Sequence, residues 1–185
     1  MSNLYVALLR GINVGGHNKI KMQDFRSLLE ELGFTDAQTY VQSGNAVFRT
    51  RKSSPAKLAA RIHDALKAIL DKPVPVAVRT SDDWRQIAKS HPFMKKDASN
   101  IGHLAVTFCH EKPKQSALKQ LKAQPGIKDQ LRAGKQEVYL YLPDGTARTK
   151  LNINFFEKQL GVDCTSRNWK TVAAIKEILQ QVEQA

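Results

Sequence analysis

The sequence lacks a membrane-spanning segment, a signal peptide and a metal-binding motif. No run approaches the ~20 apolar residues that span a bilayer, and residues 1–10 lack the basic-then-apolar layout of a signal peptide. The two cysteines, Cys109 and Cys164, are too far apart for a metal or redox motif, and the five histidines lack ligand spacing. We therefore expect a cytoplasmic protein without membrane, metal or cofactor, in which both thiols are buried.

A net charge of +12 is the most unusual property of the composition. Most of the excess lies in residues 51–150, which carry 20 Lys and Arg against 9 Asp and Glu, and it is spread over helices and loops without forming a block. A solvated surface explains this distribution about as well as a nucleic-acid-binding surface does. Because 42% of the residues are apolar, the chain can build packed cores and a disordered protein is excluded.

The first half of the chain has the element order of a ferredoxin-like module. Apolar runs, helical spacing and a Gly-Asn turn between two short strands indicate β-α-β-β-α-β, followed by a short extra helix. The predicted elements are a strand at 4–9, a helix at 22–32, a hairpin at 39–48, a helix that starts at 53–55, a strand at 74–79 and a helix at 80–90.

The second half repeats the β-α-β-β-α order with little sequence identity to the first. Polar residues 95–100 indicate a domain boundary, so we predict one subdomain at 1–98 and another at 99–185. A brief extended piece at 162–165 leads into a last helix at 169–182. The sequence therefore predicts an α+β fold of two consecutive ferredoxin-like subdomains with antiparallel sheets and an additional C-terminal helix.

Chain direction in the first module brings two distant polar loops to the same end of the sheet. The loop after the first strand and the turn of the hairpin both lie at the end towards which strands one and two run, and in the usual order strands one and three are neighbours. The residues that we expect to converge there are Arg10, Gly11, Asn13, Gly15 and Gly16 from the first loop, and Ser43, Gly44 and Asn45 from the second.

These loops are better suited to binding an anion or a polar small molecule than to acid–base catalysis. Glycines allow backbone N–H groups to face outward, and Arg10 adds a planar cation. Neither loop carries a carboxylate, and His17 is the only nearby group that titrates near neutrality. The same residue types are also typical of tight turns, and composition slightly favours that structural interpretation. The glycines form no nucleotide-binding fingerprint.

A second polar segment, residues 165–171, has two interpretations. In the functional one, Arg167, Asn168 and Trp169 form part of a pocket wall. In the structural one, a polar residue caps the last helix and Trp169 packs inward, which is the stronger expectation. Separately, Leu4-Tyr5-Val6 weakly resembles the aromatic first strand of RNA-recognition modules, although the third strand offers only Phe48 as a matching aromatic.

Four segments together resemble the bacterial family known as domain of unknown function 1697. They are Leu8–Gly16 (LRGINVGG after the first leucine), Thr39–Phe48 (TYVQSGNAVF), His91-Pro92-Phe93 and Thr165–Val172 (TSRNWKTV). The resemblance covers nearly the whole chain and implies a fold of two ferredoxin-like subdomains. It implies no activity. It suggests that Arg10, Asn13, Asn45, Asn168 and Trp169, with the loop glycines and Ser43, occupy motif positions of the family.

The residues leave three functional hypotheses. The first is a binding protein whose loops 10–16 and 43–45 hold an anionic or polar small molecule such as a nucleotide. The second is a nucleic-acid-binding protein that acts through the basic surface of 51–150. The third is an enzyme of unknown reaction in which Arg10 and Asn45 stabilise a developing oxyanion, and the absence of a nearby general base counts against it.

Overall fold

A computed structural model describes residues 2–15, 18–70, 72–96, 101–122 and 128–184. The chain forms two compact units, one of residues 1–86 with 174–185 and one of residues 87–173. Residues 97–100, where we predicted the domain boundary, lie outside the described residues, and the division at 98/99 stays a prediction. Within the described part, no helix is long and apolar enough to cross a membrane.

The first unit contains a four-stranded antiparallel sheet in the order β2-β3-β1-β4. A further helix, α3, follows the last strand. The elements are β1 (Ser2–Leu9), α1 (Met22–Glu31), β2 (Thr35–Tyr40), β3 (Asn45–Arg51), α2 (Pro55–Lys67), β4 (Val76–Thr80) and α3 (Ser81–Lys89). This is the predicted ferredoxin-like order.

The helices α1 and α2 form where the apolar spacing predicts them. Helix α2 begins at Pro55 after Ser54, whose side chain accepts a hydrogen bond from the Lys57 N–H at 3.3 Å. The core on this side of the sheet contains Phe25 of α1 and Leu58 of α2. Burial of this apolar surface is the main term that stabilises the unit.

Tyr5 belongs to this core and is not presented for RNA. Its ring stacks on Phe48 with centroids 5.9 Å apart, and both residues are buried. The Tyr5 hydroxyl donates to the Ser53 carbonyl at 2.9 Å. An RNA-recognition module exposes its strand aromatics for base stacking, so the weak resemblance of Leu4-Tyr5-Val6 to such a module is not supported by where the side chain lies.

The second unit repeats the topology with a sheet in the order β6-β7-β5-β8. The predicted extended piece at 162–165 is a full strand that completes the sheet. The elements are β5 (Leu104–Cys109), α4 (Gln115–Gln120), β6 (Gln130–Ala133), β7 (Glu137–Tyr141), α5 (Ile153–Leu160) and β8 (Cys164–Asn168). The last helix, α6 (Trp169–Gln184), begins in this unit, and its residues from Ala174 onward belong to the first unit.

A pair of buried arginines occupies equivalent positions in the two sheets. Arg79 of β4 is paired with Val6 of β1, and Arg167 of β8 is paired with Val106 of β5. Each guanidinium donates from Nη1 to the carbonyl of the preceding residue at 2.9 Å. The two halves of the chain have little sequence identity. The matching positions of Arg79 and Arg167 show that the two units nevertheless correspond down to individual side chains.

Candidate ligand-binding site

The two glycine-containing loops of the first unit meet at one end of the sheet, as chain direction predicts. Leu8 of β1 is paired with Asn45 of β3. The Leu9 N–H donates to the Gly44 carbonyl at 2.8 Å, which continues the ladder beyond the strand. The end of β1 and the turn between β2 and β3 are thus fastened to each other.

Asn13 ties the first loop to the hairpin. It has a positive φ of 55°, which asparagine tolerates better than most residues. Its side-chain Nδ2 donates to the carbonyls of Gln42 at 2.8 Å and Ile20 at 3.0 Å, and its Oδ1 accepts from the Ile20 N–H at 2.9 Å. The side-chain amide of Asn13 therefore forms three hydrogen bonds with backbone groups. Asn13 has a structural role whether or not a ligand binds.

Gly44 is required where the loops cross. A Cβ on this residue would lie 2.7 Å from Ile12 Cδ1 and 2.7 Å from Leu9 Cβ, and its φ is +71°. Gly11 and Gly15 also have positive φ, but a Cβ there would meet no atom within 4 Å. Gly16 and His17 lie outside the described residues.

The side-chain amide of Asn45 is hydrogen-bonded within the protein, so Asn45 is not one of the residues that could contact a ligand. It is 0% exposed, and its Nδ2 donates to the Tyr40 carbonyl and to Ser43 Oγ, both at 2.9 Å. Since an amide nitrogen has two hydrogens, neither remains for an oxyanion. The enzyme hypothesis therefore loses one of its two stabilising groups. Arg10 is half-buried, and its backbone N–H donates to the Pro75 carbonyl at 3.0 Å.

A cavity of about 510 Å³ opens beside the fastened loops. This volume is in the range of small-molecule sites. Of the predicted site residues that the structure describes, Asn13 lines this cavity. Lys19, Lys21 and Gln42 line it as well and were not predicted, and the remaining lining residues are Ile20 and Asp24. The two lysines give the lining a net positive charge despite Asp24.

Two exposed valines are sequence neighbours of residues that line this cavity. Val14, next to Asn13, is 69% exposed, and Val41, next to Gln42, is 50% exposed. Val41 has a φ of +49°. A β-branched residue in the left-handed region is a true outlier that costs about 1–3 kcal/mol. The turn thus holds an apolar side chain in solvent at the expense of stability, which indicates a role other than packing.

The described residues also line two other cavities, in which some of the charged side chains bond to the protein itself. One of about 560 Å³ has Arg49 in its lining, but Arg49 Nε pairs with Asp36 Oδ2 at 2.7 Å and its Nη2 donates to the Val182 carbonyl at 2.8 Å. One of about 330 Å³ in the second unit contains Asp129, which accepts a hydrogen bond from Thr149 Oγ1 at 2.6 Å. Arg49, Asp36 and Asp129 are thus engaged by the protein itself.

The contacts of segment 165–171 in the second unit agree with the structural interpretation, and its part in a pocket wall stays a prediction. Asn168 Oδ1 accepts from the Thr171 N–H at 2.8 Å and so caps α6, while Trp169 is buried. Arg167 is also buried, and its Nη1 donates to Thr165 Oγ1 at 2.7 Å. Burial lowers the pKa of the Arg167 guanidinium to about 10. These groups support the fold of the second unit.

His91 joins two of the sequence motifs. Its ring lies 5.0 Å from that of Trp169 and 5.3 Å from that of Tyr139, both edge-on. Its Nε2 lies 3.0 Å from the Ala105 carbonyl, and its Nδ1 accepts from the Phe93 N–H at 3.3 Å, so Nε2 carries the proton. Burial lowers the pKa of His91, against a smaller opposite effect of the bond to Ala105. A neutral, buried imidazole here serves packing.

Metal binding has no support in the described ranges, where no group of three or more His, Cys, Asp or Glu side chains is placed to hold an ion.

Comparison with known proteins gives a family and a fold. Residues 2–139 match the model of a family described as protein of unknown function, DUF1697. The structure is similar to that of the conserved bacterial protein SP0830 from Streptococcus pneumoniae, with a TM-score of 0.74 and 22% identity over 97% of this chain and 99% of that one. No curated protein matches the chain.

Proposed function

For this chain, which belongs to the DUF1697 family of proteins of unknown function, we propose that it binds an anionic small molecule, nucleotide-like in size and charge. The ligand lies in the cavity formed by Asn13, Lys19, Lys21 and Gln42. The observation that carries the proposal is this cavity, which places two lysines beside a framework that the chain itself keeps rigid.

The rigid framework supports binding because it lowers the cost of ordering. Asn13 and Gly44 fasten the first loop to the hairpin through backbone and amide hydrogen bonds. A site whose backbone is held before the ligand arrives loses less entropy on binding than one on a mobile loop. The lysines supply the charge, and the loop backbone positions them.

Binding fits the lining better than catalysis does. Asp24 is the one carboxylate among the described lining residues, and it lies with Lys19 and Lys21. The two lysines and the Gln42 amide can recognise phosphate or carboxylate groups, and the described lining contains no histidine to act as a general base. Both amide hydrogens of Asn13 are bonded to the Ile20 and Gln42 carbonyls, so Asn13 shapes the site and does not donate to the ligand.

Charge reversal of the two lysines tests the proposal. We expect the double substitution Lys19→Glu and Lys21→Glu to weaken the binding of pyrophosphate or adenosine diphosphate by roughly tenfold to a hundredfold, because each lost cation is worth about 1 kcal/mol or more near a protein surface. Asp24→Asn should strengthen binding, since it removes the opposing charge. Isothermal titration calorimetry and ligand-induced thermal shifts measure both effects.

The matched control changes the same net charge elsewhere in the first unit. Lys57→Glu with Lys67→Glu alters two exposed lysines of α2 that do not line the cavity, and it should leave affinity within about twofold if the effect is local. Equal losses of affinity in the two double variants would mean that the ligand responds to the overall charge of the protein and not to Lys19 and Lys21. Absence of binding to the unmodified protein would end the proposal.

Val41 provides a separate test, because strain and binding should respond in opposite directions. We expect Val41→Asn to raise the free energy of unfolding by about 0.5–2 kcal/mol, since asparagine accepts a positive φ more readily. The same change should lower affinity for a nucleotide relative to pyrophosphate, because the apolar contact is lost. Chemical denaturation and calorimetry give the two values.

Val14→Asn is the control for this experiment. Val14 is also exposed, but its φ is not positive, so its substitution should reduce nucleotide affinity without a gain in stability. A Val41→Asn protein that is more stable and binds nucleotide unchanged would show that the strained valine has no part in binding.

A further inference from the structure

The two cysteines of the second unit are direct neighbours across the sheet. Cys109 is the last residue of β5, Cys164 is the first residue of β8, and the two are paired in the antiparallel register. Their Sγ atoms lie 3.9 Å apart, and both side chains are 0% exposed. The sequence separates them by 54 intervening residues, so only the register between β5 and β8 brings them together.

Their place in the ladder suits a covalent bond. The His110 N–H donates to the Asp163 carbonyl at 2.8 Å, so the next pair along, Cys109 with Cys164, is a non-hydrogen-bonded pair. Cα atoms in such pairs lie about 4.5 Å apart, at the short end of the roughly 4.4–6.8 Å that disulfides span. Side-chain rotation can therefore join the sulfur atoms while the strands keep their register.

We infer that Cys109 and Cys164 form a redox modification site, in which a peroxide converts the two thiols into a reversible disulfide that fastens β8 to β5. The site is independent of the ligand-binding cavity of the first unit and does not depend on the proposed function.

The chemistry balances with hydrogen peroxide as the two-electron oxidant. The Cys164 thiol loses its proton, and its sulfur takes one oxygen from peroxide to give a sulfenic acid while hydroxide leaves. The Cys109 sulfur, deprotonated in turn, attacks the sulfenic sulfur. An S–S bond forms, the S–O bond breaks and the oxygen leaves as water. Two thiols and one peroxide thus give one disulfide and two waters.

Access to the buried sulfurs is through the end of β8. This strand is an outer strand of its sheet, is five residues long and begins at Cys164 itself. The preceding Gly161 and Asp163 are exposed. Ends of short outer strands open at low free energy, and peroxide is little larger than water. The reaction is therefore slow compared with that of an exposed thiol, but it does not require global unfolding.

Mass spectrometry of the folded full-length protein after peroxide treatment tests the site. After denaturation and alkylation, we expect both cysteines to resist alkylation together, the mass to fall by two hydrogens, and one cross-linked peptide to contain Cys109 and Cys164. A dithiol reductant should reverse the change. Closure of this loop should raise Tm by roughly 5–10 °C.

Two comparisons decide whether the juxtaposition in the sheet is responsible. Cys109→Ala removes the second thiol, so Cys164 should remain a sulfenic acid that dimedone traps and should then oxidise further; alanine is chosen because it buries no unpaired hydroxyl. In urea at the same peroxide concentration, the cross-link between Cys109 and Cys164 should account for a much smaller share of the oxidised cysteine, because the two sulfurs are no longer held side by side. Full alkylation of both cysteines after treatment of the folded protein would overturn the inference. So would a cross-link that accounts for no larger a share of the oxidised cysteine in the folded than in the unfolded chain.

Discussion

Substitution of Gly44 by alanine is expected to lower the free energy of unfolding by about 2–4 kcal/mol. The left-handed φ of +71° costs about 1 kcal/mol for a residue with a Cβ, and the new methyl would lie 2.7 Å from both Ile12 Cδ1 and Leu9 Cβ. Forcing a methyl into a packed contact typically adds about 1–3 kcal/mol. Urea denaturation with the slope unchanged would measure the loss.

Gly11→Ala separates the two terms of this loss. Gly11 has a φ of +65°, and a Cβ there meets nothing within 4 Å, so the variant carries the backbone strain without the clash and should cost only about 1 kcal/mol. Equal losses in the two variants would mean that the crossing of the loops at Gly44 does not constrain the fold. The framework argument for the cavity would then lose its support.

The convergence of the two loops could be predicted from the sequence because it depends only on chain direction and strand order. A strand, a returning helix and a second strand leave no other place for the hairpin turn. The residues that line the cavity could not be predicted in the same way. Lys19 and Lys21 reach it because Asn13 folds the loop back onto Ile20, and nothing in the periodicity of the sequence signals that bond.

The strand register of the second sheet is a further feature that could not be predicted from the sequence. The apolar runs of β5 and β8 predict that both segments are extended, and the burial of Cys109 and Cys164 is confirmed. Which residue faces which across the two strands depends on how the chain between them folds. The pairing of the cysteines, and the equivalence of Arg79 with Arg167, follow from the sheet register alone.

The motif residues by which the chain resembles its family divide into framework and surface. Asn13, Gly44 and Asn45 hold the loops, and His91 packs on Trp169 in the second unit. The side chains exposed beside this framework are what a ligand can reach. Composition slightly favoured the structural interpretation of the glycine loops, and for Gly44 and Asn45 the contacts agree with it. The basic surface of residues 51–150 stays a prediction.

Trp169→Ala is expected to destabilise the protein by about 3–5 kcal/mol, the usual cost of removing a buried tryptophan. Its ring covers His91 edge-on at 5.0 Å, so the truncated variant would leave a cavity beside an imidazole that is neutral because it is buried. Trp169→Phe keeps an aromatic ring against His91 and should lose less. Thermal unfolding followed by circular dichroism measures both changes.

Asn168→Ala distinguishes a structural segment from a pocket wall. Asn168 accepts the Thr171 N–H at the start of α6, and loss of such a cap costs about 1 kcal/mol, clearly less than loss of the neighbouring tryptophan. A graded loss of stability in the order Trp169→Ala, Trp169→Phe and Asn168→Ala, with anion affinity unchanged in all three, is the result that packing predicts. If Asn168→Ala and Trp169→Ala instead left stability intact and abolished anion binding, the ligand would lie in the second unit, because only a direct contact could separate affinity from folding in that way.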